Sequence, residues 1–255
     1  MNSIQTKRIL KKKKKILSLI NHISAIDETI IKFSGKRSDL LFKNIESAFE
    51  NALSGKTQLN KKILMMDGLS GRKYRILLNN LIKNLKNPKY LEIGSWLGST
   101  ICSACFKNRL DVTCIDNWSQ NFLVNIDPKK VFLKNINKYI SSNVNLCLIE
   151  KDFREINYNN HSNFNIFFYD GPHHYQDHYD SIKLVLPALA NKFILIVDDW
   201  NWNQVRKGTI DAIKDENLKI VAKLEIRTTI DDSSSLITGQ NSDWHQGCAF
   251  FVLEK

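Results

Sequence analysis

The sequence predicts an α/β fold: a mainly parallel sheet with helices on both faces, behind an N-terminal helical extension. Three observations predict it. After Pro88, five short apolar runs, YLEIG (90–94), VTCID (112–116), VNLCLIE (144–150), FNIFFYD (164–170) and FILIVDD (193–199), alternate with amphipathic stretches. Strands buried on both sides and alternating with helices form parallel sheets. Before Pro88 the apolar residues recur at helical spacing instead. No apolar run approaches the roughly 20 residues that cross a bilayer, which excludes a spanning helix.

The extension opens with a stripe at 19, 20, 23, 26, 30 and 33, close to heptad spacing but too short for a coiled coil. Residues 38–53 place Leu41, Ile45, Ala48, Phe49, Ala52 and Leu53 on one helical face, with Ser38 as N-cap. Residues 71–86 repeat the pattern through Tyr74, Leu77, Leu78, Leu81, Ile82 and Leu85, and Asn87-Pro88 ends it. Strands and helices then alternate, the helices at 99–108, 128–141, 175–190 and 203–216. Two further candidate strands, 218–226 and 247–253, close the chain around the polar loop DDSSSLITGQNSDWHQ (231–246). Long loops in compact domains are usually functional or mobile. The expected division is a basic, helical extension over 1–59 and one α/β domain over 60–255.

The net charge of +11 invites a nucleic-acid reading, but its location argues otherwise. Lys7, Arg8 and Lys11 to Lys15 put seven positive charges, and no acidic residue, into the first 15 positions. The stretch after them, ILSLINHISAIDE, is broken by Asn21, His22 and Asp27 and offers no small-residue cleavage site, so the chain reads as cytoplasmic. Five cysteines, at 102, 105, 114, 147 and 248, fit buried free thiols in a reducing compartment. Cys102 and Cys105 form a CxxC without the second pair that a zinc site needs, so core packing is expected of them.

Ligands of such sheets bind at the carboxyl ends of the strands. Here those ends carry Glu92 and Gly94, Asp116, Asp152, Asp170, and Asp198 with Asp199. In LEIGSWLGST (91–100), Gly94 and Gly98 let the backbone turn tightly and approach a ligand, while Ser99 or Thr100 can cap the next helix. Asp116 is placed to accept both hydroxyls of a ribose. Asp170, Asp198 and Asp199 at one rim would repel one another unless a cation neutralised them. An all-oxygen set with room for water suits Mg²⁺, or else Mn²⁺ or Ca²⁺. The alternative is that Asp198 or Asp199 caps the helix near Asn203.

His173, three residues past Asp170, is a proton acceptor titrating near neutral pH. His174 and His178 stand i, i+4 apart, and a solvated helix start is expected of them rather than zinc. Asp67, Gly68, Ser70 and Arg72 either line a pocket or belong to a helix with a basic solvated face. Trp96, Trp118, Trp200 and Trp202 either wall that pocket or pack. Trp244 and His245 are candidates for a lid.

Over roughly residues 60–255 the chain resembles the class I S-adenosylmethionine-dependent methyltransferases. LEIGSWLGST resembles their first motif and CIDNWS (114–119) their second. The resemblance implies a Rossmann-like, seven-stranded sheet and S-adenosylmethionine as cofactor. It implies Glu92, Gly94 and Ser95 along the methionine part, Asp116 at the ribose and Asp152 at the adenine amino group, with Gly98 and Ser99 in the same binding turn. FFYDGPHHYQDHYDSI (167–182) with FILIVDDWNW (193–202) gives a narrower resemblance, to metal-dependent small-molecule O-methyltransferases of the catechol and macrolide-sugar type and to cephalosporin-hydroxylase-like methyltransferases. That implies a divalent metal, Mg²⁺, on Asp170, Asp198 and Asp199. His173 stands where catechol-type relatives carry a lysine base, a departure that leaves the base role available to it.

The expected enzyme moves a methyl group from S-adenosylmethionine to a small-molecule hydroxyl, with Asp170 and His173 at the reacting oxygen. A sugar or a phenol-like metabolite is the expected acceptor, with no nucleic-acid partner and no membrane span. An RNA-modifying methyltransferase is the competing enzyme, and a non-catalytic scaffold tethered through residues 1–35 the competing non-enzyme. Self-association stays open.

Overall fold

A computed structural model describes residues 29–120, 122, 125–161 and 163–255. The basic run 1–15 and most of the N-terminal stripe lie outside the described residues. The first element is a strand, β1 (Ile30–Gly35), where the stripe predicts helix. Its β-branched Ile30 and Ile31 suit a pleated surface. β1 pairs antiparallel with residues of a strand almost two hundred positions later, from Ile30 opposite Arg227 to Gly35 opposite Ala222. No local pattern reveals such a partner.

Three helices follow, α1 (Leu40–Leu53), α2 (Lys61–Leu64) and α3 (Arg72–Asn84). The N-cap of α1 is Asp39 rather than Ser38, its Oδ1 accepting the Leu41 N–H at 3.0 Å. Then come β2 (Lys89–Ile93), α4 (Ser99–Cys105), β3 (Leu110–Ile115), α5 (Pro128–Tyr139), β4 (Val144–Ile149) and β5 (Phe164–Tyr169). After them lie α6 (Tyr175–Val185), β6 (Leu189–Asp198), α7 (Asn203–Asp215), β7 (Lys219–Arg227) and β8 (Cys248–Glu254). Every strand expected after Pro88 is present within a few residues of its predicted bounds.

Among the described residues the strand order is β1-β7-β8-β6-β5-β2-β3-β4, eight strands where seven are expected. β4, β3, β2, β5 and β6 are parallel, and β8 inserts antiparallel between β6 and β7. Alternation along the strands builds two cores. Tyr90, Ile166, Phe168, Ile194, Ile196, Phe250 and Val252 face α1, α3 and α4. Leu91, Ile93, Phe167, Tyr169, Leu195, Val197 and Phe251 face α6 and α7. The helix α1 shares the first core, through Phe42, Ile45, Ala48 and Phe49.

All five cysteines are free; four are buried as expected, but Cys147 is exposed, because β4 is the edge of the sheet. No described helix is long and apolar enough to cross a membrane.

Candidate active site

The chain runs outward from β2 through β3 and β4, then returns to β5 on the other side of β2. Such a reversal opens a crevice at the carboxyl ends of the strands. Here it is a cleft of about 390 Å³, within the range of small-molecule sites. Backbone pairing continues past the strand ends and fixes its floor. Gly94 N–H donates to the Ile115 carbonyl at 3.0 Å, Asp116 N–H to Ile149 at 3.2 Å and Asp170 N–H to Ile93 at 2.9 Å. Gly94 has φ 89°, and a Cβ there would lie 1.8 Å from the Asp170 carbonyl oxygen. Only glycine lets the first turn pass so close to the end of β5.

Five residues expected at a cofactor line the cleft: Gly94, Ser95, Ser99, Asp116 and Asp152. Asp116 is held by two backbone donors, Trp96 N–H on Oδ2 and Trp118 N–H on Oδ1, each at 2.7 Å. Each oxygen keeps a further lone pair, so the carboxylate can still accept a pair of hydroxyls. Asp152 accepts the Arg154 N–H at 2.9 Å and faces Asn117. Trp96, at φ 40°, presents a buried Nε1 without a hydrogen-bond partner, which suits a site awaiting a ligand.

Two expected cofactor residues do not reach the cleft. Glu92 is fully buried beneath the turn, accepting the Tyr90 hydroxyl at 2.7 Å and the Thr100 hydroxyl at 3.0 Å. Burial pushes its carboxyl up to about 7. It points down into the core because residues alternate along β2. Gly98, at φ 82°, starts α4 against the Phe132 ring.

The other half of the cleft holds Asp170, His173 and Asp199. Among the described residues these three bring ligating atoms within 4.8 Å of one another. His173 Nε2 lies 2.8 Å from Asp199 Oδ2 and 3.9 Å from Asp170 Oδ1. Burial raises Asp170 to about 7. Burial opposes a charge on His173, yet the adjacent Asp170 and Asp199 carboxylates lift it to about 10. That direction runs against the free-base role its spacing suggests.

Asp198, expected as the third carboxylate, is not among those grouped ligating atoms, although its carboxyl interacts with Asp170 and Asp199. Asp198 is 1% exposed, lies outside the cleft lining, and has no hydrogen-bond partner on either oxygen. Burial, with the neighbouring Asp170 and Asp199 charges, pushes it well above the usual carboxylate range. β6 ends at Asp198, and the left-handed backbone of Asp199, at φ 54°, turns its side chain into the cleft while that of Asp198 stays behind the lining. Neither side chain caps α7, whose N-cap is Trp202 without a side-chain bond.

Other residues settle in turn. His174 is exposed at the start of α6, but His178 is buried, edge-on to Tyr169 at 4.7 Å and pushed down to about 3 by burial. His178 therefore departs from the expected solvated start. Trp96 and Trp202 line the cleft, Trp200 is core, and Trp118 packs on Phe132. From the 66–72 segment only Leu69 lines the cleft; Ser70 is buried against Ser99 at 3.0 Å.

One contribution has no simple sequence signal, and one belongs to a residue already singled out. Arg75, 1% exposed, donates to the carbonyls of Ile63 and Met66 and to Ser70 Oγ, which frames the segment before β2. His245, delivered by the 228–246 loop at φ 53°, lines the cleft with Nε2 3.7 Å from Asp199 Oδ1. Trp244, its neighbour, packs in the core on Phe49 instead of serving a lid.

Residues 91–200 match the family described as a methyltransferase domain. That stretch holds Gly94, Asp116, Asp152, Asp170, His173 and Asp199. Among curated proteins none matches the chain. Similar solved structures include the SAH-bound methyltransferase PaMTH1 of Podospora anserina, at 11% identity over 100% of this chain and 97% of that one, TM-score 0.48. Precorrin-6y C5,15-methyltransferase from Geobacter metallireducens shares 12% over 79% of this chain and 96% of its own, TM-score 0.46. TrmN from Thermus thermophilus shares 13% over 71% and 48%, TM-score 0.45, so this chain spans about half of its length. Likeness so distant carries no argument about chemistry. The chain thus has an α/β fold with a mixed sheet, and over residues 91–200 it is similar to the methyltransferase-domain family.

Proposed function

We propose that the protein transfers a methyl group from S-adenosylmethionine to a hydroxyl oxygen of a small molecule. One observation carries this reading: Asp116 and the Gly94 turn share a single cleft with the Asp170–His173–Asp199 cluster. A ribose-accepting acid at the end of the second parallel strand is the mark of a nucleotide site in this class of sheet. The cluster lies across the cleft from it, where an acceptor would stand. The cofactor supplies an electrophilic methyl on a sulfonium sulfur.

The chain's own work is positional and electrostatic. Asp116 holds the ribose, and Asp152 faces the base. Leu69, Trp96, Trp202 and Pro172 form apolar walls that exclude water, which favours a displacement in which charge is cancelled. Asp170 and Asp199 gather negative charge beside the reacting hydroxyl and help to draw off its proton. A divalent cation belongs to this reading, held by residues of that cluster.

Calorimetric titration with S-adenosylhomocysteine tests the proposal. Micromolar binding is expected, weakened by about tenfold or more in Asp116→Ala, which removes two charge-assisted hydrogen bonds. No binding to folded protein would overturn the reading.

A further inference from the structure

The resemblance implies three carboxylates around magnesium, and the structure assembles something else: two carboxylates and an imidazole. We propose that Asp170 Oδ1, His173 Nε2 and Asp199 Oδ2 are the protein ligands of a first-row transition-metal dication, of the Mn²⁺ or Fe²⁺ kind, rather than of Mg²⁺.

The geometry favours a shared cation over a simple ion pair. His173 Nε2 lies 2.8 Å from Asp199 Oδ2, yet this buried nitrogen makes no hydrogen bond. The oxygen sits off the direction in which the ring nitrogen donates, and hydrogen bonds weaken steeply away from linearity. Neighbouring ligands of one cation lie in that sideways relation, because each points its lone pair at the ion and not at the other ligand. Asp199 is 3% exposed, and its Oδ1 also lacks a hydrogen-bond partner. A buried carboxylate oxygen without a hydrogen-bond partner calls for a ligand.

His245 completes the surroundings without joining the ligands. Its Nδ1 accepts the Gly239 N–H at 3.0 Å, so the neutral ring carries its proton on Nε2. That nitrogen faces Asp199 Oδ1 as a donor and has no lone pair for a metal. Outer groups of this kind orient ligating side chains. Three protein ligands leave the remaining positions open to the cleft and to an acceptor oxygen. Mg²⁺ favours oxygen and water, whereas an imidazole beside carboxylates favours the later dications. The ion's part in methyl transfer rests on the function proposed above; its binding does not.

The test uses the full chain, stripped with chelator. It is titrated with Mn²⁺ and with Mg²⁺ by calorimetry, and the Mn²⁺ form is read by pulsed electron paramagnetic resonance for nitrogen coupling. The expected result is one Mn²⁺ site, on the order of tenfold tighter than Mg²⁺, with coupling to an imidazole nitrogen. His173→Gln should lose the coupling and most of the preference, while Asp198→Asn keeps both. Mg²⁺ binding as tightly as Mn²⁺, coupling absent or surviving in His173→Gln, or no metal bound by the folded protein would each overturn the proposal. Titration of S-adenosylhomocysteine into the same samples separates the two readings. A nitrogen-coupled Mn²⁺ site in protein that binds no S-adenosylhomocysteine upholds the metal and sinks the methyltransferase.

Discussion

Glu92 shows how a residue can look like a binding group and act as a foundation. It stands in the glycine turn's own motif, yet the alternation along β2 drives it into the core under Tyr90 and Thr100. Folding raises its carboxyl from the usual 4.5 to about 7, so the folded state keeps a proton that the unfolded chain releases. Its cost to stability is absent below the unfolded value and grows as pH rises through the folded one. Glu92→Gln is therefore expected to gain stability relative to the native protein between pH 5 and pH 8, by up to about 3 kcal/mol. Thermal unfolding of both proteins across that range reads the gap, and a gap that stays constant contradicts the account. Three non-glycine residues of the cleft, Trp96, Asp199 and His245, hold left-handed backbone, at φ 40°, 54° and 53°. Such conformations cost about 1–3 kcal/mol each and cluster at functional sites. Nothing in the residue types at these positions announces them.

Among the elements, the 228–246 loop departs most from its sequence-based expectation. Its polar composition suggests a mobile lid, but its interior is a buried network. Asn201 Nδ2 donates to Thr228 Oγ1 at 2.8 Å and Ser235 Oγ at 3.1 Å, while its Oδ1 accepts the Thr228 N–H at 2.8 Å. Ser235 N–H donates to Gln246 Oε1 at 2.7 Å. This network sets His245 in place. Asn201→Ala leaves the Thr228 amide without its partner, so a loss of about 2 kcal/mol is expected. Amide exchange should quicken across 228–246 while β2 and β5 stay protected. Unchanged exchange in the loop would mean that the network does not hold it. The parallel strands were legible because burial on both faces writes them as continuous apolar runs, and their acidic ends were legible as charge interrupting those runs. β1 was not, since its partner β7 lies far along the chain, and the exclusion of Asp198 depends on which way one strand end turns.

For the whole molecule, the described sheet runs from residue 30, and both described cores lie beyond it. Removing residues 1–28 also removes seven of the basic residues. The truncated chain is expected to keep its melting temperature and its affinity for S-adenosylhomocysteine, and to lose most of any salt-dependent binding to RNA. Loss of cofactor binding on truncation would tie the tail to the site. The overall class, the rim and the ribose acid could be read from motif spacing, while the donor set, the buried Arg75 and the ordered loop needed three dimensions. The central claim is that one cleft holds the cofactor's ribose on Asp116 and aims its reactive end at Asp170 and Asp199. A crystal structure of the protein with S-adenosylhomocysteine tests it directly. The account predicts both ribose hydroxyls on the Asp116 carboxylate and the sulfur directed toward the Asp170–His173–Asp199 cluster; a ribose bound elsewhere, or a sulfur turned away from that cluster, would contradict it.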